Sequence, residues 1–157
     1  MTVGVLAQLS YEAAVRSLDL QERAVEQLRA RTATLLAATS LVASFLGAQA
    51  IQRAGGLGMV TALALISLIC SVGLCIYILL PKRGYAFGMT GPEMYELAFS
   101  VADDDEEVRR RLVYWLHECW TGNEDEIEEL DRYYVGAAAM LMAQLVLWTV
   151  TLATTMS

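Results

Sequence analysis

Three stretches of this chain are long enough, and free enough of charge, to cross a lipid bilayer, and that feature excludes most folds. They cover residues 33–51 (ATLLAATSLVASFLGAQAI), 57–80 (LGMVTALALISLICSVGLCIYILL) and about 133–154 (YYVGAAAMLMAQLVLWTVTLAT). A bilayer core about 30 Å thick takes about 20 residues of helix at about 1.5 Å each. Backbone N–H and C=O groups find no water in hydrocarbon, so each run must satisfy its own, as a helix does. The fold class that follows is an all-α integral membrane protein with three transmembrane helices. A hydrophobic content of 56 % supports it, because a soluble domain carries more polar surface.

The first two runs are joined by QRAGG, residues 52–56, whose paired glycines stop a helix and permit positive φ. They form an antiparallel hairpin. The chain thus divides into an N-terminal helical segment (1–32), a hairpin (33–80, with spans 33–51 and 57–80), an acidic helical segment (81–132), and a third span with a short tail (133–157).

Basic residues set the expected orientation. Arg16, Arg23, Arg29 and Arg31 precede the first span, and Lys82, Arg83, Arg109, Arg110, Arg111 and Arg132 separate the second from the third. Arg53 alone lies in the hairpin turn. Three spans put the first two groups on one side, so the N-terminus and 82–132 are expected to be cytoplasmic and the C-terminus external. Arg29, Arg31, Lys82, Arg83 and Arg132 flank the spans and are the main topology determinants. The first positive charge is Arg16, so no signal peptide is expected.

Ahead of the first span, Tyr11, Ala14, Leu18, Gln21, Val25, Leu28, Thr32 and Leu35 follow alternating steps of three and four. This heptad-like stripe lies on a helix expected to run unbroken into the span. It serves either packing within the chain or self-association. After the second span, Pro81, Gly84, Gly88, Gly91 and Pro92 predict a loop, followed by a short helix over 93–101. A second helix is capped by Asp103 or Asp104, with Val108, Leu112, Trp115, Leu116 and Cys119 as its apolar face. Thr121, Gly122 and Asn123 are expected to break it, with Asn123 and Glu126 opening the helix of the third span as a capping box.

The net charge of −7 makes nucleic acid an improbable partner. Residues 82–132 hold six basic and fourteen acidic side chains, so the acidity belongs to that segment. It is a solvated helical surface or a docking surface for a basic partner. His117 is the sole histidine, Cys70, Cys75 and Cys119 form no C-x-x-C pair, and DDDEE lacks the alternation of a calcium loop. No metal, no cofactor and no enzymatic activity are expected.

Within the spans, Ala33, Ala37, Ser40, Ser44 and Ala48 recur at steps of three or four. Small residues on one face let helices approach closely, and serines can hydrogen-bond across the contact. The face serves packing in the hairpin, a subunit interface or a pore lining. Gln144, deep in the third run, is costly against lipid and should face protein or a water-filled path. Tyr77, Tyr133, Tyr134 and Trp148 are expected at the membrane interfaces.

The layout of cytoplasmic helix, hairpin, short helical segment and third span resembles the membrane effectors of bacterial antiphage systems. The nearest types are the Pycsar transmembrane effectors and the two-transmembrane effectors associated with nucleotide second messengers. The resembling residues are RARTATLLAATSLVASFLGAQAI at 29–51, IYILLPKRG at 76–84 and DRYYVGAAA at 131–139. Arg29 and Ala30 fit the Arg-Ala-Asp that opens the family's first span, whereas Arg31 and Ala33 depart from its pattern. The resemblance implies a bacterial inner-membrane protein that homo-oligomerises and permeabilises the bilayer on activation. No segment is long enough for a nucleotide-sensing domain, so the trigger would come from an activating protein or a nucleotide-signal partner. The competing expectation is a non-pore membrane anchor or plasmid-transfer accessory protein that recruits a partner through its acidic segment.

Overall fold

The structure, a computed structural model, describes residues 3–54, 58–81, 96 and 105–156. Among them there are helices and no strands. Helix α1 runs from Val3 to Val42 and continues through a π-helical turn, Ala43–Gly47, into α2, Ala48–Ala54. Helix α3 spans Met59–Leu79 and α4 spans Asp105–Met156. Three helices are long and apolar enough to cross a membrane. The predicted helix over 93–101, apart from Glu96, and the capping residues Asp103 and Asp104 lie outside the described residues.

The connection between the first two runs is tighter than expected. Gln52, Arg53 and Ala54 belong to the last turn of α2, and extended backbone at Gly58 (φ −76°, ψ 168°) starts α3. A larger correction concerns Thr121, Gly122 and Asn123, which do not break a helix; α4 passes straight through them. One glycine in a helix interior costs only about 1 kcal/mol, which neighbouring contacts can offset. Thr121 turns its hydroxyl back onto the carbonyls of His117 and Glu118, at 3.1 and 2.9 Å, and Asn123 is buried.

The chain forms two compact units, residues 1–26 with 82–128 and residues 27–81 with 129–157. In the first, α1 and α4 run parallel. Ala13, Ala14 and Ser17 share a groove with Val113, Leu116, His117 and Trp120. Leu18, Val25, Leu112 and Leu116 are its buried apolar residues, and Gln21 Nε2 donates to the Trp120 carbonyl at 3.0 Å. The heptad stripe of α1 therefore faces inward.

The second unit packs α3 against the later parts of α1 and α4. Its contact face is Thr61, Ala64, Ser67, Ser71, Cys75 and Ile78, a row of small side chains closed by one isoleucine. Ser67 Oγ donates to the Met140 carbonyl (2.8 Å) and Ser71 Oγ to the Ala137 carbonyl (3.0 Å), which fixes α3 antiparallel to α4. Tyr77 meets Tyr133 edge-on with ring centres 4.9 Å apart, and the Tyr133 hydroxyl donates to Glu129 Oε1.

Both long helices keep a seven-residue repeat. On α1 it buries Leu18, Val25, Thr32 and Thr39; on α4 it buries Leu116, Asn123, Leu130, Ala137, Gln144 and Thr151. Extending the α1 pattern past Thr39 would turn Val42, Leu46 and Gln49 inward. Instead Gly47 and Ala50 are buried and Gln49 is exposed, one position later. A π turn accommodates one extra residue in a helix, and Ala43–Gly47 supplies that shift.

The shift has a visible cause in the packing. A Cβ placed on Gly47 would stand 3.2 Å from Trp148 Cζ2, so the absence of a side chain there lets the indole approach α1 closely. Trp148 is 1 % exposed and clusters with Ala50 and Ala64. Trp148 is a core residue, packed where the small residues Gly47, Ala50 and Ala64 leave room for its ring.

Candidate functional site

The small-residue stripe of the first apolar run lies together on the outer face of its helix. Ala37, Ser40, Ser44 and Ala48, like Ala33, are exposed, whereas Thr39, Gly47 and Ala50 of the same stretch are buried. Packing inside the chain therefore leaves Ala37, Ser40, Ser44 and Ala48 uncovered. Ser40 Oγ donates to the Leu36 carbonyl at 2.9 Å and Ser44 Oγ to the Ser40 carbonyl at 2.8 Å. Each hydroxyl is satisfied within its own helix, so the face tolerates hydrocarbon and presents a strip of small side chains running through the π turn. Leu41 and Phe45, exposed at 59 % and 67 %, stand next to it. Such small-x-x-x-small faces permit close approach of a second helix.

Gln144 lies on the opposite, inner side of the same unit. It is fully buried, and neither Nε2 nor Oε1 has a hydrogen-bond partner. One turn further along α4, the Trp148 indole N–H is also buried and unpartnered. Leaving a buried polar group unpaired costs about 1–3 kcal/mol. Three such atoms on one face make this the most costly polar spot in the unit.

The topology residues are placed as follows. Arg31 and Arg132 are exposed, and Arg29 is half-buried with an Nε that makes no hydrogen bond. Lys82 and Arg83 lie outside the described residues. On α4 of the first unit, Glu107 accepts from Arg110 (2.7 Å) and Arg111 (3.1 Å). The hydrogen bond from Arg110, followed by that from Arg111, holds the Glu107 carboxyl below its ordinary range. A lowered carboxylate stabilises the fold above the unfolded pKa and stops doing so as pH falls through the folded one. The pair is solvent-exposed, so its contribution is small. His117 is exposed and stacks parallel to Trp120, with ring centres 6.2 Å apart. No metal-competent group of histidine, cysteine and carboxylate side chains occurs among the described residues.

Cys119 is half-buried, and burial, reinforced by the Glu118 charge, pushes its thiol pKa up. The thiolate is the reactive form. At pH 8, Cys119 should therefore alkylate several-fold more slowly than a cysteine in a short peptide, with the gap narrowing as pH rises. Peptide mass spectrometry after timed iodoacetamide pulses measures this, and peptide-like reactivity would show an open site.

Sequence reading did not single out Ser67 and Ser71, the interhelical donors. Their signal was available as the spacing Thr61, Ala64, Ser67, Ser71, Cys75 in the most apolar run. No protein-family description matches this chain, and no curated protein or solved structure is significantly similar to it.

Proposed function

We propose that this protein is a multi-pass inner-membrane effector that assembles with copies of itself and permeabilises the bilayer when triggered. The observation that carries the reading is the uncovered face of Ala37, Ser40, Ser44 and Ala48. A monomer whose three helices fully satisfied one another would need no small, hydroxyl-bearing strip on its outside, and lipid is better met by leucine. A second copy can bring its own strip against this one, and the two serines can then hydrogen-bond across the contact. In this reading residues 1–32 and 82–132 are cytoplasmic and the C-terminus is external, because ten of the eleven basic residues fall in the first two segments. The trigger is an activating protein or a nucleotide-derived signal acting on the cytoplasmic helices, in an antiphage or conflict setting.

The test is membrane potential, followed with a voltage-sensitive dye in bacteria expressing the intact chain. Wild type should depolarise the cells; Ser40→Leu with Ser44→Leu, at equal membrane insertion, should remove most of the signal. Full depolarisation by the double variant would take this face out of the mechanism.

One observation favours a second reading, a non-pore scaffold. Glu124, Asp125 and Glu128 are exposed on α4 and make no ion pair among the described residues, which leaves them available to a basic partner. Neutralising Glu124, Asp125, Glu126, Glu128 and Glu129 should then release a stoichiometric co-purifying protein. Its retention would remove the main support for a scaffold.

A further inference from the structure

We propose that Gln144 and Trp148 form a water-binding site inside the second unit, and that this site is the polar station of the permeation path. The first half of the proposal stands on geometry alone; the second rests on the effector reading.

Gln144 and Trp148 are four apart on α4, so their side chains share one face and lean the same way along the helix. Both are essentially inaccessible from outside, and the amide and the indole N–H have no protein partner. Between them they offer one acceptor and two kinds of donor, the set a single water needs for two to four hydrogen bonds. Neighbouring hydroxyls do not compete. Thr39 donates to the Leu35 carbonyl and Thr151 to the Leu147 carbonyl, both inside their own helices.

Contacts place the site within the unit. Helix α3 is antiparallel to α4 through the Ser67 and Ser71 bonds. Trp148 rests on Gly47 at the end of the π turn. Gln144 lies one helical turn from that contact along α4. A π turn departs from regular i to i−4 pairing, and such turns recur at functional sites. Irregular backbone at Gly47 thus lies against Trp148, one turn from the unpaired amide of Gln144. A polar group so buried is costly, and holding a water offsets the cost. The same water gives a hydrated path its first foothold when the bundle loosens.

The experiment uses the full chain in lipid nanodiscs with ¹⁵N-labelled tryptophan. The Trp148 indole signal is assigned by its loss in Trp148→Phe, and rotating-frame cross-peaks between indole protons and water are recorded. A water cross-peak at Trp148 is expected in wild type and should vanish in Gln144→Leu, with the Trp115 and Trp120 signals unchanged as the check on folding. Absence of that cross-peak in wild type, or its persistence in Gln144→Leu, would overturn the site. Dye release from vesicles carrying the same proteins tests the path. Gln144→Leu should reduce a wild-type leak several-fold, and an unreduced leak would remove the water from the route. A wild type that does not leak counts against the effector reading, while the cross-peak still decides the site.

Discussion

Gly47→Leu should destabilise the apolar part of the molecule, lowering unfolding free energy by about 2 kcal/mol. Overpacking a tight contact costs about 1–3 kcal/mol, occasionally more. The contact here is unusually unforgiving, because a Cβ alone would stand 3.2 Å from Trp148 Cζ2 and 3.5 Å from Cε2. Leucine adds three further carbons in the direction of a rigid ring. The opposing term is helix propensity, worth about 1 kcal/mol in favour of leucine over glycine. Sterics win by a clear margin. Gly47→Ala divides the two effects: propensity gains about 1 kcal/mol, and the indole has to yield only a few tenths of an ångström, so the change should be near neutral. Unfolding of both variants in mixed micelles, followed by circular dichroism, gives the comparison. A Gly47→Leu protein as stable as wild type would mean that Trp148 is not seated on α1.

Leu18→Ala should cost about 2–5 kcal/mol, the range for truncating a buried leucine where the site cannot fully collapse. Leu18 is 2 % exposed in the first unit, which is read as the water-facing part of the protein. The full transfer free energy of the lost atoms therefore applies there. The control lies two residues away, on the other side of the same helix. Leu20 is 59 % exposed, and Leu20→Ala should change stability by no more than about 0.5 kcal/mol. Urea titration of both variants, read from tryptophan emission, checks the contrast. Equal losses at the two positions would show that the heptad stripe is not the inner face of α1.

These two predictions also mark where reading the sequence succeeded and where it stopped. Leu18 belongs to a stripe legible from its steps of three and four, because a helix of fixed pitch carries residues at that spacing onto one side. The same repeat on α4 was hidden. Asn123, Gln144 and Thr151 occupy its inward positions, and a polar residue at a core position interrupts an apolar pattern without interrupting the helix. Gly122 strengthened the false break, since the penalty of one glycine is local while the contacts that outweigh it come from elsewhere in the chain. The serines of α3 were overlooked for a related reason. Within a run that is apolar on every side, no hydrophobic periodicity distinguishes the face that packs, and only the size of the side chains does.

The stripe of the first run illustrates the remaining gap. Its small residues Ala33, Ala37, Ser40, Ser44 and Ala48 were visible as a set, but that the whole set faces away from the core was not. Thr39, Gly47 and Ala50 turn inward, and Ala37, Ser40, Ser44 and Ala48 turn outward. Past the π turn the inward positions fall one residue later, at Gly47 and Ala50. No apolar period in the sequence announces that one-residue shift.

The sequence by itself determined that the chain is helical, that three of its helices can cross a membrane, and that its acidic charge collects between the second and third apolar runs. Those properties follow from hydrogen-bond satisfaction and charge density, which are summed along the chain and need no knowledge of neighbours. Only the tertiary structure decided that Trp148 lies in the core, that Gln144 is buried without a partner, and that the serine face of α1 is left uncovered. Each of those depends on which side chain fills the space opposite, and that is a property of packed surfaces in contact.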